Sequence, residues 1–120
     1  MEREVMLAVT YEEVVTMLEE SGLPVAYDHF AEGESPDPPF LVFLFPDSNN
    51  LFADDEVYQE VSSLNIELYT DKKDPKLEKK IQKILKQHEL PWEKSEVWIE
   101  SEKMYEVLYQ TQMIGGDSDG

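Results

Sequence analysis

The sequence predicts an α+β domain in the order α-β-β-β-α-β-β, a mostly antiparallel sheet with two helices packed on one face. Three observations carry this. An amphipathic stretch with start and stop signals lies near the N-terminus, a second follows Asp74-Pro75, and runs of strand length separate and follow them. At 120 residues the chain suits one domain, and 41% hydrophobic residues suffice for a modest core.

The first helix is expected from about Thr10 to Ser21. Thr10 with Glu13 has the form of a capping box, and Gly22 then Pro24 close the helix. Tyr11, Val14, Val15, Met17 and Leu18 supply its apolar stripe, while Glu12, Glu13, Glu19 and Glu20 face water. A short strand is expected over 25–30, followed by a segment, 31–39, whose glycine and prolines oppose regular structure. Residues 40–45 are apolar on both parities and bounded by prolines, which marks a central strand covered on both faces. Residues 46–55 read as a loop. A long strand follows over 57–70, where Leu64, Ile66 and Leu68 alternate with Asn65, Glu67 and Tyr69. Val57 and Val61 sit on the other parity, so a β-bulge or break is expected near Ser62-Ser63.

Asp74 as N-cap and Pro75 at the first helical position open the second helix. Leu77, Ile81, Ile84, Leu85 and His88 fall on one face, and Pro91 ends the run. Residues 96–99 and 104–114 form a closing hairpin with Ser101-Glu102-Lys103 at its turn. The domain thus spans 10–114, with 1–9 an N-terminal extension and 115–120 a flexible acidic, glycine-rich tail.

Twenty-seven acids against ten bases give a net charge of −17. Nucleic-acid binding of the ordinary kind is excluded, because phosphates are neutralised by Lys and Arg, and so is docking onto anionic membranes. With no cysteine there are no disulfides, thiolate chemistry or Cys-based zinc sites, which fits a reducing compartment. The start, Met1-Glu2-Arg3-Glu4, is too acidic for a signal peptide, and no apolar run approaches the ~20 residues of a membrane span. A soluble, cytoplasmic protein is expected.

Catalytic patterns are missing: there is no nucleophile elbow, phosphate loop, dinucleotide fingerprint or HExxH. His88 continues an apolar stripe, and His29 beside Asp28 on a strand is not a dyad, because neighbours on a strand point to opposite faces. Asp54-Asp55-Glu56 lacks the alternate spacing of a calcium loop, and Asp117-Ser118-Asp119-Gly120 ends before a closing glutamate, so both read as solvated charge. No enzyme, cofactor or metal site is expected.

Two features point instead to an interface. Leu51 and Phe52 stand in the loop among polar residues and the acids Asp54 and Asp55; they either fold back onto the sheet edge or project as an apolar anchor ringed by charge. Charge is also segregated. Residues 72–86 hold seven lysines and two acids, a local +5, and leave −22 on the rest. Lys72, Lys73, Lys76, Lys79, Lys80 and Lys83 are the candidate contact residues. A lysine-covered helix is often merely solvated, but on an acidic body it is self-complementary and suits head-to-tail packing into a ring.

The stretches Gly22-Leu23-Pro24-Val25-Ala26-Tyr27-Asp28-His29-Phe30, Ser48-Asn49-Asn50-Leu51-Phe52-Ala53-Asp54, Ile66-Glu67-Leu68-Tyr69-Thr70-Asp71-Lys72-Lys73-Asp74-Pro75 and Ile99-Glu100-Ser101-Glu102-Lys103-Met104-Tyr105-Glu106-Val107-Leu108-Tyr109 extend the argument. Across 11–114 the chain resembles small phage and prophage proteins of Gram-positive bacteria, and is similar to tail-terminator and head–tail joining proteins of long-tailed phages. The resemblance implies a small subunit that assembles, commonly as a hexameric ring, on the finished tail tube. Its implied partners are the tail tube protein and the head-completion or connector protein, first in the host cytoplasm and then in the virion neck. It supplies no catalytic motif. An acidic lumen would let DNA pass without sticking. Acidic loops are then expected to line the channel or partner surface, with the lysine helix facing outward or against a neighbour.

Two other structural roles are compatible with the composition: another neck or minor capsid component, and an acidic DNA mimic that occupies the basic groove of a restriction enzyme or nuclease. A mimic needs long surface rows of acids, whereas here they are interspersed with apolar strand residues.

Overall fold

A computed structural model gives the order α1 (Glu2–Glu19), β1 (Val25–Tyr27), β2 (Phe40–Leu44), β3 (Ser48–Ala53), β4 (Glu56–Thr70), α2 (Pro75–Gln87), β5 (Glu93–Ile99) and β6 (Met104–Asp117). It describes the backbone of residues 2–31, 33–46, 48–53 and 56–117, and the side chains of 11–31, 33–46 and 63–112. The fold is α+β, with both helices on one face of a six-stranded sheet.

The sheet is ordered β1-β2-β4-β6-β5, with β3 also paired to β4. Only β1 and β2 run parallel; every other pairing is antiparallel. β6 follows β4 along one side, so β2 and β3 share its other side in succession, β2 against 65–69 and β3 against 56–62. Pro46, which has no N–H to give a ladder, lies between them. At ~3.3 Å per residue the 15 residues of β4 span about 50 Å. This matches the 50 Å long axis of the molecule, whose other extents are 27 and 25 Å.

Alternation on the strands builds one core. In register, Leu41 pairs with Leu68 and Leu68 with Val107, while Phe43 pairs with Ile66 and Ile66 with Tyr109. These side chains are buried against Val14, Met17 and Leu18 of α1 and Ile81, Ile84 and Leu85 of α2. Each such burial is worth about 1.5–3 kcal/mol before ordering costs. On the opposite face Phe40 is buried under Phe30 of the 28–39 connection, the rings 5.3 Å apart.

Several boundaries differ from the sequence expectation. α1 starts at Glu2, so Thr10 is interior to the helix and caps nothing. No proline or glycine precedes Gly22, and acids near a helix N-terminus favour its dipole, so nothing stops the helix at Thr10. β1 ends at Tyr27 because Asp28 turns the chain with φ 68°. The segment expected to be a loop over 46–55 contains β3, which makes a hairpin with β4. The phase change in β4 is a pair of register shifts slightly earlier than Ser62-Ser63. Tyr58 is the extra residue opposite Leu51/Phe52, and Gly115-Gly116 stand opposite Glu60 alone. β5 begins at Glu93, and β6 takes Gly115 to Asp117 into the sheet; the rest of the expected tail lies outside the described residues.

Candidate functional site

α2 is fixed at its start by Asp74, whose Oδ1 accepts a hydrogen bond from the Leu77 backbone N–H at 3.1 Å, and by Pro75 in the first turn. One acid, Glu78, falls on its apolar stripe three residues before Ile81. Its side chain is only 5% exposed, and it meets Lys73 Nζ at 2.7 Å and Lys94 Nζ at 2.6 Å. Lys73 also pairs with Glu96 of β5. Burial pulls the Glu78 carboxyl up, but the hydrogen bonds and charges of Lys73 and Lys94 outweigh it and hold the group below the usual carboxylate range. Tyr109 Oη donates to the Glu78 carbonyl at 3.3 Å, and burial raises that phenol well above its ordinary pKa. α2 is thereby tied to the β6–β5 side of the sheet.

α1 sits over the other side. Tyr11 has ring-centroid distances of 5.6 Å to both Tyr27 of β1 and Phe43 of β2. Gly22 ends the helix in the left-handed region at φ 81°, and Ser21 Oγ donates to the Leu18 carbonyl at 2.6 Å. The helices meet where their C-termini converge, with His88 Nε2 3.1 Å from Glu20 Oε2.

The two helices, one toward each lateral edge, expose opposite charge. Lys76, Lys79, Lys80, Lys83 and Lys86 are exposed on the outward side of α2, and among the described residues none is in an ion pair. Glu12, Glu13 and Glu19 of α1 are exposed, and Glu20 just past its end, also exposed, faces His88 of α2. The four exposed large hydrophobic residues among the described ones divide between the same edges. Tyr11 and Tyr27 lie at the α1/β1 edge, 43% and 40% exposed, and Val97 and Trp98 at the β5 edge, 51% and 42% exposed.

The sheet face away from the helices carries a second polar cluster. Tyr69 Oη donates to Glu67 Oε1 at 2.8 Å and lies 3.5 Å from Glu106 Oε2. Burial and the neighbouring Glu67 charge raise the pKa of Glu106, and burial with both carboxylates raises that of Tyr69. Nearby, a hollow of about 720 Å³ is lined by Ser63, Asn65, Trp92, Gln110 and Gln112 among others. Its wall mixes amides and hydroxyls with Pro46, Pro91, Trp92 and Glu93.

The residues expected at an interface fare differently. Lys76, Lys79, Lys80 and Lys83 share one face, as the periodicity predicts, and Lys86 completes it; Lys72 is exposed in the turn before α2. Lys73, by contrast, is engaged within the chain by Glu78 and Glu96. Leu51 and Phe52 belong to β3, with side chains outside the described residues; Asp54 and Asp55 lie outside the described residues altogether. His88, which continues the spacing of the stripe, is the exposed C-cap of α2. His29 Nδ1 lies 2.9 Å from Asp28 Oδ2, since the turn at Asp28 removes the strand geometry that would separate them. Sequence reasoning missed Glu78, although its spacing to Ile81 and Leu85 is the stripe's own, and it missed the edge hydrophobics, which only strand order brings to an edge.

No protein-family model matches the chain, and no curated protein matches its sequence. No described helix is long and apolar enough to cross a membrane, and among the described residues no group of three or more His, Asp or Glu is placed to hold a metal.

Proposed function

We propose that this chain is a virion-assembly subunit of a phage or prophage that closes the tail tube and joins tail to head as a ring. The observation that carries this reading is the three-stranded extension formed by β3, the first half of β4 and the end of β6. β5 pairs with β6 only as far as Gln110, so beyond that residue β6 has an open edge, and β3 is open on the other side among the described residues. Open edges offer rows of backbone donors and acceptors to another chain, and a ribbon so narrow gains most from being paired. The resemblance over 11–114 and the segregation of charge support the same reading. Tail tube and head-connector proteins are the other partners, met in the host cytoplasm and retained at the virion neck. No catalytic residue or cofactor belongs to this role.

A DNA-mimic role is served less well. The exposed described acids are scattered over α1, the loops and β5 and are interrupted by the five exposed lysines of α2, whereas a basic groove needs uninterrupted negative charge.

Deleting the gene from the phage or prophage that carries it tests the proposal. The expected products are filled heads and separate tails of uncontrolled length by electron microscopy, with normal particles restored by the gene in trans. Normal virions from the deletion would overturn it.

A further inference from the structure

We propose that the open edge of β6 past Gln110 takes up an extended, lysine- or arginine-bearing segment of a different protein, which adds as a strand in the line that β5 leaves. This rests on the reading that the ribbon of β3, β4 and β6 is a contact surface, and it names what pairs there.

Three observations select this edge. The first is that the strand is formed but paired on one side alone. β4 holds β6 as far as Asp117, whereas β5 pairs with it only from Met104 to Gln110, so residues 111–117 present a row of backbone groups to no other described strand. At ~3.3 Å per residue this row is about 23 Å long, the length of an ordinary strand. The second is that the row lacks the usual protection of an edge. β5, the outer strand on the same side, carries Glu93, Lys94 and Glu96 along its exposed length, and such charges discourage further pairing. Thr111-Gln112-Met113-Ile114 holds neither charge nor proline before the bulge at Gly115-Gly116. The third is room. The hollow of about 720 Å³ is lined by Pro91, Trp92 and Glu93 at the head of β5 and by Gln110, Thr111 and Gln112 where the open row begins. The chain does not fill that line itself: Leu90 and Trp92 pack against the core, and Pro91 has no N–H to give a ladder.

Charge selects the occupant. Residues 48–62 and 111–117, which span the ribbon, include five acids and no lysine or arginine. Glu93 adds a carboxylate at the hollow. A strand that carries bases is drawn to this surface and an acidic one is repelled. A second copy is a poor match, because seven of the chain's ten bases lie within 72–86, in and just before α2, and no strand of the chain carries more than one. A nucleic acid brings more negative charge and no peptide groups to complete a ladder. Backbone hydrogen bonds therefore supply the affinity, and charge decides which strand is accepted.

The test uses the full chain and an end-capped peptide, Lys-Thr-Lys-Val-Lys-Thr-Lys, beside a version with glutamine in place of every lysine. The lysine peptide is expected to bind about tenfold tighter or more by calorimetry at low salt, and to raise hydrogen-exchange protection of amides within 111–117. Two further versions of it carry N-methyl groups on alternate backbone amides, one version in each phase. Alternate N–H groups of a strand point to the same side, so one phase is expected to lose about tenfold or more in affinity and the other to bind as the parent does. Equal affinity of the lysine and glutamine peptides, or equal binding by the two methylated versions, would overturn the inference. Protection at 48–53 instead of 111–117 would place the contact on β3 and overturn the edge assignment. Protection of 111–117 that grows with the concentration of the chain alone would assign the edge to a second copy and overturn the choice of occupant. None of these outcomes touches the assembly role, which stands or falls on the gene deletion.

Discussion

Lys94 Nζ lies 2.6 Å from Glu78 Oε1, so a lysine of β5 holds the one acid on the buried stripe of α2. Lys73 meets the other oxygen, and both lysines keep more than a third of their side chains in solvent. Their desolvation cost is therefore small, and Glu78 carries most of the penalty. Replacing Glu78 with Gln removes that penalty together with both ion pairs, and because the ion pairs outweigh the penalty the net effect is a loss. E78Q is expected to destabilise by about 1–2 kcal/mol in urea unfolding, and K94A by about half as much because Lys73 remains. The pH dependence has a fixed sign. The folded carboxyl lies below its ordinary 4.5, so its contribution is present above that pH and is lost as pH falls through the folded value. Wild type and E78Q should therefore converge in acid; a gap that stays constant to pH 3 would contradict the ion-pair account.

Gly22 tests the end of α1. Its φ of 81° is strained for any residue with a Cβ, yet a Cβ built there meets nothing within 4 Å. The cost of G22A is then conformational alone, expected at about 1 kcal/mol, and G22N should cost less because Asn tolerates the left-handed region. Equal stability of G22A and wild type would show that the helix end relaxes into another turn.

These cases show where the sequence was legible. The second helix could be read residue by residue, because Asp74, Pro75 and the spacing of Leu77, Ile81, Ile84 and Leu85 are local signals that tertiary context did not override. β3 was hidden because Ser48, Asn49 and Asn50 read as a loop; an edge strand paired on one side tolerates such residues. The lysine face was legible from periodicity. Its place over the sheet was not, because which helix lies over which edge follows from the order β1-β2-β4-β6-β5, set by contacts far apart in sequence.

Thr111 tests packing where β6 leaves the main core. It pairs with Leu64, is 7% exposed, and its Oγ1 has no hydrogen-bond partner among the described residues. A buried hydroxyl without a partner costs about 1–3 kcal/mol, and Val has nearly the same shape with none of that penalty. T111V is expected to stabilise by up to about 1 kcal/mol, seen as a raised urea midpoint with unchanged slope. Destabilisation by T111V would mean that the hydroxyl is bonded in solution.

Glu106 sits beside Glu67 on the face away from the helices, and Tyr69 gives its better hydrogen bond to Glu67. Burial and the Glu67 charge both disfavour the ionised form of Glu106, so its folded pKa lies above the ordinary 4.5. A raised carboxylate works against folding. The penalty is complete above the folded pKa and disappears as pH falls to the unfolded value. E106Q keeps an acceptor for Tyr69 and removes the repulsion, so it should stabilise at pH 7 by a few tenths to about 1 kcal/mol, the scale of like charges on neighbouring strands. That advantage should shrink as pH falls toward 4.5, the reverse of E78Q, whose deficit shrinks over the acid range below it. Urea titrations of both variants between pH 3 and 8 separate the two signs, and a pH-independent gain in E106Q would assign its effect to packing instead of charge.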